Sequence, residues 1–183
     1  MNNTNLIPPH GGYKNLKSYQ NSEIIADATY YFYNKWIKDY KLASQLNGAA
    51  RSCKQCIAED SINSTSKKLE LKLIQNARGS LEELLLDYQD YLRQNKHELW
   101  NKNTSKAQFI RKLAYKSDKT YETYASFFDN AENTANTIIC LIHQTNYLLD
   151  QLVNKLENDF LEKGGFTERM YQSRKLSNRV NQV

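Results

Sequence analysis

The sequence predicts an all-α protein: an antiparallel up-down four-helix bundle followed by a short C-terminal appendage helix. Apolar residues recur at steps of three and four along four separate segments, which is the spacing of one helical face. Only six glycines and two prolines occur in 183 residues, so long helices run uninterrupted. A chain of this length can also build a single core without disulfide or metal staples. The expected organisation is an N-terminal arm over residues 1–18, a bundle over 19–163 and a basic suffix segment over 164–183.

The arm is marked by the adjacent Pro8 and Pro9 and by Gly11-Gly12. The first helix is expected from Ser22, a residue suited to an N-cap, with Glu23 and Asp27 near the positive end of the helix dipole. Its apolar stripe is Ile25, Ala28, Phe32, Trp36 and Tyr40, and a break is expected around Lys38 to Lys41. The second stripe runs through Leu42, Leu46, Ala49 or Ala50, Cys53 and Ile57, whose small residues allow close helix approach. Asp60 to Ser66 reads as a loop, because its Ser, Asn, Thr and Asp side chains compete for backbone hydrogen bonds.

Ser66 is the expected cap of the third helix, whose stripe of Ile74, Ala77, Leu81, Leu84, Tyr88 and Tyr91 follows the bundle repeat. Asn95 suits a left-handed C-terminal cap. Lys96 to Lys119 reads as a connection carrying one short helix around Lys106 to Tyr115. The fourth helix holds its heptad through Ile138, Ile142, Thr145, Leu149, Leu152, Leu156 and Phe160. Leu141, Leu148 and Val153 widen that stripe to face a multi-helix core, and Gly164-Gly165 ends it. A short basic helix is expected beyond.

Lys and Arg total 25 against 20 acidic residues, a formal charge of +5, which biases the chain mildly toward acidic partners. No window reaches the roughly 18 consecutive apolar residues of a membrane span. Met1 to Tyr13 lacks the charged and apolar regions of a secretory signal, so a cytoplasmic location without membrane contact is expected. Three cysteines in such a chain fit reduced thiols.

No catalytic set, metal site or cofactor is expected. Cys53-Lys54-Gln55-Cys56 has the spacing of a zinc or redox pair, but Cys140 and the isolated His10, His97 and His143 do not complete a ligand set. Glu82, Glu83, Asp87 and Asp90 lack the Glu-x-x-His partners of a di-iron bundle. Glu83 and Asp87 form a solvated face or meet basic residues of a neighbouring helix or subunit. Positive charge is the more informative signal. Nine basic residues stand against four acids between Lys35 and Arg78. Arg51 with Lys54, and Lys68 with Lys72, are spaced to share a helix face and reach successive phosphates. Together with Lys67 and Arg78 they form the candidate nucleic-acid-binding set.

Ala49-Ala50-Arg51-Ser52-Cys53-Lys54-Gln55-Cys56-Ile57-Ala58-Glu59-Asp60-Ser61, then Thr65 to Ile74 and Ala77-Arg78-Gly79-Ser80-Leu81-Glu82-Glu83-Leu84, resemble a known family. These are the four-helix-bundle proteins first noticed in intervening sequences of bacterial large-subunit ribosomal RNA genes. Their relatives include the accessory variability proteins of diversity-generating retroelements. Glu162 to Tyr171 resembles the suffix segment that follows the bundle in one branch. With Gly11-Gly12-Tyr13 and the first helix, the resemblance covers nearly the whole chain. It implies a bundle, a ring-like homopentamer and, for the retroelement relatives, a basic surface that binds nucleic acid and a reverse transcriptase. Cys53, Cys56 and Asp60 stand where relatives commonly carry Gly, Asn and Gly.

The expected function is therefore a non-enzymatic, oligomeric accessory or scaffold protein that binds RNA or DNA and assists a retroelement reverse transcriptase. The alternative is a structural or protein-interaction ring with no nucleic-acid role. Tyr30, Tyr31 and Tyr33, lying outside the first helix's core stripe, are expected to supply a subunit interface.

Overall fold

The computed structural model describes residues 12–62, 67–114, 116, 118–164, 168, 170–171 and 174–175. Pro8 and Pro9, the expected cap Ser66, Gly165 and most of the C-terminal segment lie outside the described residues. Those described are all-helical. A 3-10 turn at Gly12–Asn15 precedes α1 (Lys17–Trp36), α2 (Tyr40–Ile62), α3 (Lys67–Gln94) and α4 (Ser105–Leu113); a 3-10 helix at Tyr121–Phe127 precedes α5 (Ala131–Lys163). Glu168, Met170, Tyr171, Arg174 and Lys175 of the suffix segment are helical.

α1 begins five residues before the expected Ser22. Ser22 is buried inside it, and its hydroxyl donates to the Tyr19 carbonyl at 2.6 Å. The first turns of α1 bury polar Ser18, Asn21 and Ser22, so an apolar stripe could not announce them. The break falls at residues 37–39, where Ile37 is extended. Tyr40 therefore leaves the α1 stripe, opens α2 and is 87% exposed. Asp39 Oδ1 accepts the Lys41 N–H at 2.8 Å, satisfying a free donor at the start of α2. α2 then continues through Asp60 to Ile62, two residues past the expected loop start.

α3 closes in a Schellman arrangement: the His97 N–H reaches the Leu92 carbonyl at 2.9 Å and the Lys96 N–H reaches Arg93 at 3.2 Å. The left-handed residue is Lys96, at φ 58°, not Asn95. Asn95 instead turns its side-chain amide back onto the Tyr91 carbonyl at 2.8 Å. Side-chain caps start the later helices. Thr104 accepts from the Ala107 N–H and Asn130 from the Asn133 N–H, at 3.3 and 2.8 Å. Gly164, at φ 67°, ends α5 as expected, and its N–H bonds the Phe160 carbonyl.

α1 packs on α2 and on α5, and α3 packs on the same two helices. Their stripes meet in one core, in which Ile25, Ala28, Phe32, Ile57, Ile74, Ala77, Leu81, Leu84, Ile138, Ile142 and Leu149 are almost wholly buried. Phe32 sits edge-on to Tyr88 and Tyr91, with ring centroids 5.0 and 4.9 Å apart. The Tyr88 hydroxyl donates to Thr29 Oγ1 at 3.0 Å across the core, so the phenol is buried without an orphaned donor. Phe160, expected in the α5 stripe, is 45% exposed because it projects in the last turn of the helix. α4 caps the flank of α5. The segment before it is fixed by Asn136, which accepts from the Trp100 N–H and donates to the Glu98 carbonyl, both at 2.8 Å.

Candidate nucleic-acid interface

The six candidate basic residues occupy α2 and the first half of α3, but packing divides them. Two are committed to carboxylates. Lys67 Nζ bonds Glu70 at 2.7 Å, where Glu70 is buried, and Arg78 meets Asp150 of α5 at 3.1 Å. Arg78 thus lies on the α3 flank that faces α5. Arg51, Lys68 and Lys72 are exposed and Lys54 is half-buried. None of these four takes part in the ion pairs found among the described residues, the other two of which are Arg93–Asp90 and His97–Glu132.

Lys54 turns toward α1. Burial raises the pKa of Asp27 there, and the Lys54 charge opposes that rise while Glu23 and Glu122 add to it. Burial likewise raises the Tyr33 phenol, against the nearby charge of Arg51. Ser80 Oγ donates to Ser52 Oγ at 2.9 Å, which marks the seam between α2 and α3. From that crossing, Lys72 lies about 9 Å farther along the hairpin than Lys54. The set is therefore two adjacent pairs, Arg51 with Lys54 and Lys68 with Lys72, rather than one continuous patch.

Asp60, adjacent to this surface in sequence, points inward and is 7% exposed. It faces Glu70 and Lys67, and burial, reinforced by the Glu70 charge and opposed by Lys67, pushes its carboxyl up to about 7. Sequence spacing gave no sign of this buried acidic pair, because Asp60 and Glu70 lie on different helices.

Burial disfavours the thiolate at all three cysteines. Burial pushes Cys53 up to about 12, with Cys56 adding to it, and pushes Cys140 up to about 11 against the opposing charge of Arg111. Cys56 is also raised by burial, although a Ser52 hydrogen bond works the other way. A reactive thiol or zinc ligand needs the thiolate. Among the described residues no group of three or more His, Cys, Asp and Glu is placed to hold a metal ion. Of the α3 carboxylates, Glu82, Glu83 and Asp90 are exposed, and Asp87 is half-buried with its pKa raised by burial and then by Asp90 and Glu83.

The three tyrosines of α1 are not equivalent. Tyr30 is 62% exposed, but Tyr31 packs inside the subunit on Trp36, Tyr121 and Phe128, and its hydroxyl donates to the Phe128 carbonyl at 3.1 Å. Tyr33 is half-buried. Of the three, only Tyr30 is exposed.

No helix among the described residues is long and apolar enough to cross a membrane. No family model, curated protein or solved structure matches the chain.

Proposed function

We propose that the chain is a non-enzymatic accessory or scaffold protein of the ribosomal-RNA intervening-sequence type, which assembles as a homopentamer in the cytoplasm and binds RNA or DNA. In this reading it serves a retroelement reverse transcriptase. The subunit is an antiparallel up-down bundle of α1, α2, α3 and α5. That arrangement is supported by the Ser52–Ser80 contact, by the Arg78–Asp150 pair and by the bond from Tyr31, late in α1, to Phe128, just before α5.

The observation that carries the nucleic-acid reading is that Arg51 and Lys54 on α2, and Lys68 and Lys72 on α3, form two pairs on one helical hairpin, outside the ion pairs found among the described residues. Two staggered pairs bind phosphate weakly in one subunit, and repetition around a ring multiplies them. Binding is then sequence-tolerant, since phosphates are contacted rather than base edges. Lys67 and Arg78 contribute less than spacing suggests, because each must first leave a carboxylate.

The test compares wild type with a Lys54→Glu, Lys68→Glu, Lys72→Glu variant after both are shown to be folded and equally oligomeric. Wild type should bind structured RNA or duplex DNA with log affinity falling linearly in log salt, and each lost contact should reduce that slope by about 0.7 to 0.9. Equal affinity and slope in the variant would remove the proposal. The second reading, a protein-interaction ring, draws on the exposed Tyr30, Tyr40, Leu86, Phe109, Tyr147 and Leu161, which are large apolar side chains on a protein surface.

A further inference from the structure

A concave feature lies where the first turns of α1, the C-terminal part of α3, the segment before α4, α4 itself and the middle of α5 meet. It encloses about 490 Å³, within the range of small-ligand sites. Its wall is charged in one sense only. Lys17, Lys102, Arg111 and Lys119 line it, and among the described residues that do so none is acidic. Lys17 and Lys119 are close enough to repel, and burial followed by that repulsion lowers the Lys119 pKa. Lys119 Nζ donates to the Ala114 carbonyl at 3.0 Å and Arg111 to the Lys102 carbonyl, so both side chains are fixed by neutral acceptors and neither takes part in the ion pairs found among the described residues; cations held in this way point to an anion as their further partner.

The floor carries the second, independent observation. Asn21 lines the cavity, is completely buried, and has neither its amide nitrogen nor its carbonyl oxygen hydrogen-bonded. Gln144 also lines it and has both side-chain polar atoms shielded from solvent and unpaired. Buried amides in folded proteins are almost always satisfied, so two that face one cavity call for an occupant presenting both donors and acceptors. The rest of the wall is apolar, with Trp100, Ile139 and Leu148. Trp100 is anchored through the bond from its backbone N–H to Asn136. The Cys140 thiol also lies in the wall, and burial raises its pKa to about 11.

We propose that this cavity binds a small organic anion with a flat ring, of the chemical class of a nucleoside monophosphate. Arg111, Lys119 and Lys17 hold the phosphate, Trp100 packs against the ring, and the side chains of Asn21 and Gln144, whose polar atoms are closed off from solvent, turn on binding to meet the hydrogen-bonding edge of the base. The site does not rest on the nucleic-acid reading, since none of Arg51, Lys54, Lys68 or Lys72 lines it.

The test titrates the full chain with AMP and with UMP by calorimetry and follows the melting temperature with each, using inorganic phosphate and adenosine as controls. At least one nucleotide should bind once per chain, and phosphate and adenosine should each bind about tenfold more weakly or worse, having lost one half of the contacts. An Arg111→Ala, Lys119→Ala double variant should lose about 10- to 100-fold in affinity, as expected for removal of charge-assisted bonds at partly exposed positions. Asn21→Leu should melt higher than wild type without ligand, because the orphaned amide is gone, and should lose the nucleotide-induced rise. A purely structural asparagine would give the opposite, a lower melting temperature with ligand binding intact. That outcome overturns the proposal, as does unchanged binding in the double variant, phosphate alone binding as tightly as the nucleotides, or no heat with either nucleotide at millimolar concentration. The Lys54→Glu, Lys68→Glu, Lys72→Glu variant should bind the nucleotide as wild type does, which separates failure of this site from failure of the nucleic-acid surface.

Discussion

Asp60→Asn should stabilise the protein in a strongly pH-dependent way. The Asp60 carboxyl is 7% exposed, its Oδ1 has no hydrogen-bond partner, and its pKa is pushed from 3.8 up to about 7, first by burial and then by Glu70, against Lys67. An acid whose pKa rises on folding binds more protons in the folded state than in the unfolded one between those two values. Stability is therefore complete below about pH 4, falls as pH rises through the window, and levels off above about pH 7. The full shift corresponds to at most about 4 kcal/mol, and residual solvent screening reduces a realistic figure to about 2 kcal/mol. Asn has nearly the same shape and no charge, so the variant escapes this loss. Urea unfolding should show it about 2 kcal/mol more stable than wild type at pH 8, equivalent to roughly 4 to 8 °C in Tm for a chain of this size, with the difference vanishing near pH 4. A gain of equal size at both pH values, or a loss at pH 8, would show that the charge of Asp60 is not what costs stability.

The thiol environments imply that a disulfide reagent at pH 8 labels Cys53 only after denaturation; rapid native labelling would contradict its burial. Replacing Cys53 and Cys56 together by Ala should cost packing only, on the order of 1 to 2 kcal/mol, with fold and ligand binding kept; stoichiometric zinc lost in that variant would contradict the structural role. Tyr88→Phe should cost about 1 to 2 kcal/mol in urea unfolding by leaving the buried Thr29 hydroxyl unpaired, whereas an unchanged midpoint would mean that water or another group replaces the phenol. Light scattering at micromolar concentration should give several times the 21.4 kDa chain mass, and a monomer mass would remove the ring.

Much of the fold was legible because core burial writes itself into spacing. Ile74 to Tyr88 and Ile138 to Leu149 follow the heptad and are buried as expected. The errors fall where a different force decides the element. α1 begins among buried Ser18, Asn21 and Ser22, where polar residues face inward and periodicity of apolar residues goes silent. The Tyr121–Phe127 3-10 helix was missed because it is held by a reciprocal Thr120–Thr123 cap in place of an apolar stripe. At the end of α3, residue preference pointed to Asn95, but the left-handed position that the Schellman closure requires is one residue later, at Lys96.

The basic surface was legible only within each helix. Spacing at i+3 or i+4 establishes that Arg51 and Lys54 share a face, as do Lys68 and Lys72, because both members ride on one backbone. It says nothing about what a neighbouring helix brings alongside. Asp150 reaches Arg78 across 72 residues of sequence, whereas Lys67 and Glu70 pair at i,i+3 within α3, a partner that spacing on one helix could have shown. The cavity makes the same point with opposite sign: Lys17, Arg111 and Lys119 come from three separate segments and carry no common motif, yet they converge where two buried amides stand unpaired. A cross-helix neighbour pairs with Arg78, which spacing singled out, and packing gathers Lys17, Arg111 and Lys119 around one cavity, which spacing passed over. The distribution of partners, more than the count of basic residues, therefore decides which cations of this surface are left without a carboxylate.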